Sequence, residues 1–148
     1  MTLSKRPDVN NPNAASSRFR KKRFQFLESM LRGILEYKDV VNILDIGGRR
    51  DYWQLLDGAL VPQVRVTLAN LEDELDVGRR ENDPLDVTYL VADACHMPQF
   101  ADRGFDLAHS NSVIEHVGSL SNMARFADET RRVANAYYVQ TPYLWFPV

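Results

Sequence analysis

The stretch that most constrains this chain is VNILDIGGRR, residues 41–50. Val40–Ile46 reads as a short apolar strand, interrupted at Asn42, that delivers Asp45 and then Gly47 and Gly48 into a turn. A strand apolar on both faces belongs in the middle of a parallel sheet covered by helices on either side. An acid and a glycine turn at the end of such a strand form a grip that α/β proteins use for adenosine-containing ligands. The rest of the chain can be read as a test of that expectation.

The flanking pattern alternates helix and strand. Residues 1–15, rich in Asn, Pro and Ser, have no period and read as a mobile arm. A helix is predicted from Ser16 to Tyr37, because Leu27, Met30, Leu31, Ile34 and Leu35 make the i, i+3, i+4, i+7, i+8 stripe of one buried face. After the glycine turn, Tyr52, Trp53, Leu55, Leu56 and Leu60 predict a helix over 50–60 that Pro62 stops. Further strands are expected at Val64–Ala69, Val87–Ala92, Phe105–Ser110 and Ala136–Thr141, with a polar loop or short helix between the second and third. A last helix is expected over Ser119–Ala134, with Leu120, Met123, Ala124 and Ala127 inward and Arg131 and Arg132 complementing its dipole. The fold class is therefore α/β: a Rossmann-like, doubly wound sheet of five parallel strands with right-handed crossovers.

Length and composition set the frame. A chain of 148 residues forms one domain, here placed at 16–148. No apolar run approaches the roughly 20 residues of a membrane span, and the first residues lack the apolar centre of a secretory signal. The single cysteine, Cys95, fits a reducing compartment, so a cytoplasmic protein is expected. Residues 1–40 hold nine Lys/Arg against four Asp/Glu, and much of that excess sits in RFRKKRF, Arg18–Phe24. Such a run either meets phosphate or an acidic surface, or is simply a solvated helix face.

Ligands of open α/β sheets lie outside the carboxyl ends of the strands. Those ends here are Asp45-Ile46-Gly47-Gly48, Asn70-Leu71, Asp93-Ala94 and Ser110-Asn111-Ser112, all breaks from apolar to small or polar residues. ILDIGG, then VADACHMPQFADRGFDLAHSNSVIEHVGS, then YYVQTP resemble the class I S-adenosylmethionine-dependent methyltransferases of the small-molecule type, over about residues 25–145. The long middle match, from GFD through the strand to VIEHV, is the specific one.

The resemblance implies S-adenosylmethionine as cofactor and assigns roles. Asp45 orders the glycine loop and meets the methionine end, while Gly47 and Gly48 admit backbone close to the ligand. Asn70 and Leu71 stand at the ribose position, Asp93 and Ala94 at the adenine, and Asn111 beside the methionine part. Glu115 and His116 face the incoming methyl acceptor. His116 is either a base for a protonated acceptor or a histidine that packs or caps a helix start. Glu115 either orients it or favours the helix N-terminus by charge. Some relatives with this Glu-His pair hold a divalent ion through an acid three residues before the Glu; here that residue is Ser112. With no paired zinc-type spacing among Cys95, His96, His109 and His116 either, no metal is expected.

Two positions depart from the family's Asp-x-Gly-x-Gly-x-Gly and ribose-acid pattern. Arg49 and Asp51 replace glycines, and Asn70 replaces the acid. A complete domain of the family also carries two more strands as an antiparallel pair after strand five. Without them the strand-five edge lies open to self-association, or the chain is a fragment. The expected function is methyl transfer to a small molecule at oxygen, on a sugar or lipid-linked intermediate; the alternative is a methyltransferase-like binding or assembly module. The fingerprint of a nicotinamide enzyme and the Asn-Pro-Pro-Tyr of many amino-group methylating enzymes are absent, so nucleic acid is not the expected partner.

Overall fold

A computed structural model describes residues 15–72 and 81–142. The expected arm, the centre of the polar stretch after Asn70 and the tail after Pro142 fall largely outside these described residues. Within them the order is α1 (Ala15–Leu35), β1 (Val41–Ile46), short 3-10 turns at Arg50–Leu55 and Val61–Gln63, β2 (Val64–Asn70), β3 (Asp86–Val91), β4 (Phe105–Asn111), a 3-10 turn at Ile114–His116, α2 (Leu120–Val133) and β5 (Ala134–Gln140). The five strands make one sheet in the order β3-β2-β1-β4-β5, and every pairing is parallel. The chain winds out from β1 through β2 to β3, then returns to lay β4 on the other side of β1. β1 is thus the switch point of the sheet.

The period-two alternation of β1 divides the core. Val41 and Ile43 face a cluster built with Phe24, Leu27 and Leu31 of α1, Trp53, and Val64, Val66 and Leu68 of β2. Leu44 and Ile46 face the opposite cluster, with Met97, Phe100, Ala108 and Phe126 and Val133 of α2. The stripe predicted for α1 is present: Leu27 and Leu31 are fully buried, and Met30, Ile34 and Leu35 pack at its margin.

Three local expectations need correction. The segment after the glycine turn is not an α-helix over 50–60 but a 3-10 turn ending at Leu55, because Trp53 is drawn down by a hydrogen bond to Asp45. The inward face of α2 is Phe126, Thr130 and Val133, whereas Leu120 is 84% exposed and Ala124 and Ala127 face solvent. Phe126 fills the space beneath the helix, and Thr130 can be buried because its hydroxyl donates to the Phe126 carbonyl at 2.7 Å. Finally, β5 begins at Ala134, two residues early, because α2 passes into it without a loop. Ser119 caps α2 by accepting from the Asn122 amide at 3.1 Å.

The two faces of α2 should respond differently to truncation. Phe126→Ala is expected to cost about 3–5 kcal/mol in urea denaturation, and Leu120→Ser less than about 0.5 kcal/mol. Equal effects would overturn this assignment of the helix face.

Candidate functional site

The carboxyl ends of β1 and β4 open into a cavity of about 920 Å3 lined by Arg20, Asp45, Gly47, Gly48, Arg49, Asp51, Tyr52, Gln54, Leu55, His109 and Asn111. Its floor is a polar network that the sheet register assembles. Asp45 and His109 are direct cross-strand partners on β1 and β4, so their side chains rise from the same face of the sheet. Both are 1% exposed. A carboxylate in that position is costly unless every oxygen is engaged. Here Oδ1 meets His109 Nδ1 at 2.7 Å, and Oδ2 accepts from Trp53 Nε1 at 2.8 Å.

The carboxylate also orients the imidazole. His109 Nδ1–H donates to Asp45, and Nε2 lies 3.4 Å from Gln140 Nε2 on β5. Gln140 Nε2 also reaches the Tyr52 hydroxyl at 3.4 Å, and the Tyr52 ring stacks on His109 with centroids 5.0 Å apart. Burial pushes the Tyr52 hydroxyl up to about 12, against the Gln140 bond, which lowers it.

The glycine loop lies on this network. Gly47 has φ +69 and its N–H donates to the Ala69 carbonyl at 2.7 Å. A Cβ there would sit 2.4 Å from Val113 Cγ2, and one on Gly48 would sit 2.0 Å from Asp45 Oδ2. Both glycines line the cavity, yet what excludes a side chain at each is the loop's own packing. The two arginines that follow part company. Arg50 is buried and its Nε and Nη2 bind the carboxylate of Asp83, which raises the guanidinium pKa above its ordinary value. Arg49 is exposed on the cavity wall.

Of the residues expected to hold a cofactor, the cavity wall brings together Asp45, Gly47, Gly48 and Asn111. Asn70, Leu71, Asp93 and Ala94 stand at the ends of β2 and β3, outside that wall. The Asn70 amide donates to the Gly48 carbonyl at 2.9 Å, so it steadies the loop. Leu71 is 58% exposed, and the exposed Asp93 accepts from the Cys95 amide at 2.8 Å. Glu115 and His116 form the 3-10 turn after β4, also outside the wall; Glu115 Oε2 accepts from Thr141 at 3.3 Å and His116 is exposed. Sequence reasoning missed His109, Tyr52, Trp53 and the cavity arginines. A histidine within an apolar strand was visible in the sequence, but its pairing with Asp45 depends on the sheet register.

A family model described as a methyltransferase domain matches residues 45–136, more than half of the chain. The chain belongs to the methyltransferase domain family. Members of this family take their methyl group from S-adenosylmethionine. Solved structures agree in fold. A DszA carbon methyltransferase superposes with TM-score 0.70 at 15% identity, over 86% of this chain and 36% of that one. An S-adenosylmethionine-dependent methyltransferase from Methanosarcina mazei gives 0.55 at 21% identity, over 72% and 55%. A CurJ carbon methyltransferase gives 0.61 at 13%, over 82% and 34%. The chain thus spans about a third to a half of the structures it resembles. No curated protein matches its sequence.

In this methyltransferase domain the cavity opens on one side of the switch point, at the ends of β1 and β4. The cavity lies within the ~300–1,000 Å3 range of small-molecule sites. Beside the glycine loop, the Asn111 amide on the cavity wall offers a donor suited to an adenosyl amino acid. Among the described residues no group of three or more His, Cys, Asp or Glu is arranged to hold a metal ion, and no helix is long and apolar enough to cross a membrane.

Two measurements test the network. His109→Leu leaves a buried oxygen of Asp45 without its partner and is expected to cost about 3 kcal/mol or more, partly recovered in His109→Asn. Tyr52 has its folded pKa raised from about 10 to about 12. Its contribution is whole below pH about 10 and is lost as pH rises toward 12, because the unfolded chain releases the proton first. Unfolding followed across that window should show falling stability in the native chain and a flatter profile in Tyr52→Phe.

Proposed function

We propose that this chain binds S-adenosylmethionine over the glycine loop and transfers its methyl group to a small molecule at oxygen, with a sugar or lipid-linked intermediate as the acceptor class. The observation that carries this is the cavity at the carboxyl ends of β1 and β4, walled by Gly47, Gly48 and Asn111 and floored by Asp45 held between His109 and Trp53. The sulfonium supplies the reactivity when the cofactor is bound, so the protein's task is alignment, worth on the order of 7–11 kcal/mol. The reading treats 16–148 as one methyltransferase domain and 1–15 as its arm, in the cytoplasm, where the lone Cys95 would stay reduced.

In this reading Asp45 works through the loop it supports, and Asn111 meets the methionine part. Asn70, Leu71, Asp93 and Ala94 would complete the adenosine side from the neighbouring strand ends. His116, exposed and one turn beyond β4, takes the acceptor's proton, with Glu115 beside it. An oxygen acceptor needs such a base because an alcohol is protonated at neutral pH. DszA and CurJ are carbon methyltransferases, so the identity of the methylated atom is part of the test.

A second reading has its own observation. The Asn70 amide is held by the Gly48 carbonyl rather than presented to a ribose. That favours a methyltransferase-like module that binds or assembles, with the open edge of β5 as a contact for a second copy.

Calorimetric titration with S-adenosylmethionine and S-adenosylhomocysteine decides between them. Saturable heat is expected; a folded chain that gives none with either ligand overturns the cofactor reading. Where turnover is seen, His116→Asn should lower kcat by about 10²–10⁴-fold and leave cofactor affinity unchanged. Binding without methyl transfer to any acceptor supports the module.

A further inference from the structure

The cavity carries two acids and two arginines whose situations differ. Asp45 is engaged by His109 and Trp53, and Asp51 accepts from the Gln54 amide at 2.8 Å. Arg20 and Arg49 line the same wall with no acid partner among the described residues. Arg20 reaches the cavity by helical spacing: with Phe24, Leu27 and Leu31 it continues the i, i+4, i+7, i+11 stripe of α1 one turn beyond the buried core. Arg49 reaches the same cavity from the glycine loop, at a position where the family pattern has glycine. Around Arg20 the helix adds Arg18, Lys21, Lys22 and Arg23, all exposed. Both guanidinium groups line one cavity together with Asp45 and Asp51, and the exposed Lys21 and Arg23 extend the positive charge along α1 beside Arg20. Guanidinium pairs favour planar, multiply bonded anions, and phosphate is the group whose oxygens can accept from both forks together.

We infer that Arg20 and Arg49 form an anion clamp on the open side of the cavity, and that the methyl acceptor carries a phosphate or pyrophosphate group. The identity of the ligand as acceptor rests on the methyl-transfer reading; the clamp itself does not. The shared chemistry has a second source, the carboxylate of the cofactor's methionine end, and the experiment separates the two. The cations on the outer helix face would instead serve a polynucleotide. Arg18 and Lys22 lie about half a turn from Arg20 and point away from the cavity side.

The test is calorimetry on the whole chain with inorganic pyrophosphate as probe, run without nucleoside ligand and again after saturation with S-adenosylhomocysteine. One-to-one binding is expected in both states. Each of Arg20→Gln and Arg49→Gln should weaken it on the order of tenfold, the scale of losing a hydrogen bond to a charged group. Arg18→Gln combined with Lys22→Gln should change it less than about twofold. Affinity for S-adenosylhomocysteine should be retained in all variants. The clamp is overturned if pyrophosphate does not bind, if binding is lost after saturation with S-adenosylhomocysteine, or if the arginine variants lose the nucleoside ligand instead. It is also overturned if only the outer-face pair matters and an RNA oligonucleotide competes for it. Pyrophosphate binding in a chain that takes up no S-adenosylhomocysteine would sink the methyl-transfer reading and leave the clamp standing.

Discussion

A carboxylate cut off from solvent governs the carboxyl end of this sheet. Asp45 is the last residue but one of β1, 1% exposed, and its oxygens are met by an imidazole N–H from β4 and an indole N–H from the turn that follows the loop. Each of these bonds has a structural consequence. The indole bond pulls Trp53 inward and winds the chain after Arg50 as a tight 3-10 turn. The imidazole bond fixes the plane of His109, on which Tyr52 stacks. Because Gly48 passes so close above the carboxylate, a residue with a Cβ has no place there. Loop path, turn type and cavity floor all follow from satisfying one buried charge.

The loop then distributes its own charges. Arg50 turns inward and closes on Asp83, tying the loop to the segment just before β3. Its neighbour Arg49 turns out to the cavity. A side chain where the family pattern has glycine, as at Arg49, normally crowds a nucleotide loop. Here one guanidinium takes over the anchoring that a tighter backbone turn would give, and the other is left available to a ligand. Asn70 belongs to the same economy: without a charge to offer a ribose, it holds the Gly48 carbonyl in place.

The strands were legible because β-branched and apolar runs between polar breaks have few alternatives, and the buried stripe of α1 because it repeats over three turns. The face of α2 was not. Leu120, Met123, Ala124 and Ala127 count as apolar, yet the helix face turns on the volume of Phe126, and Thr130 reads as polar until its hydroxyl finds the Phe126 carbonyl. The junction of α2 and β5 carries no glycine or proline, so nothing local announced that strand began at Ala134. At the site, Asp45, Gly47, Gly48 and Asn111 could be placed from the strand-end rule alone. Arg20 could not, because a helix that precedes the sheet reaches the cavity only through tertiary packing. His109 could not, because its meaning lies in the register of two strands distant in sequence.

That distance has a further consequence. Asp45 and His109 are 64 residues apart, and the strands that bring them side by side are adjacent only after the chain has travelled out to β3 and back. Closing a loop of that size costs roughly 4 kcal/mol of chain entropy before any contact across it is gained. The cavity floor therefore has no partly formed version. A chain that has folded only its first three strands has a glycine turn and an unpaired acid, but no pocket. Any ligand that fills the cavity reports on the docking of β4, and holds the two halves of the sheet together in proportion to its own affinity.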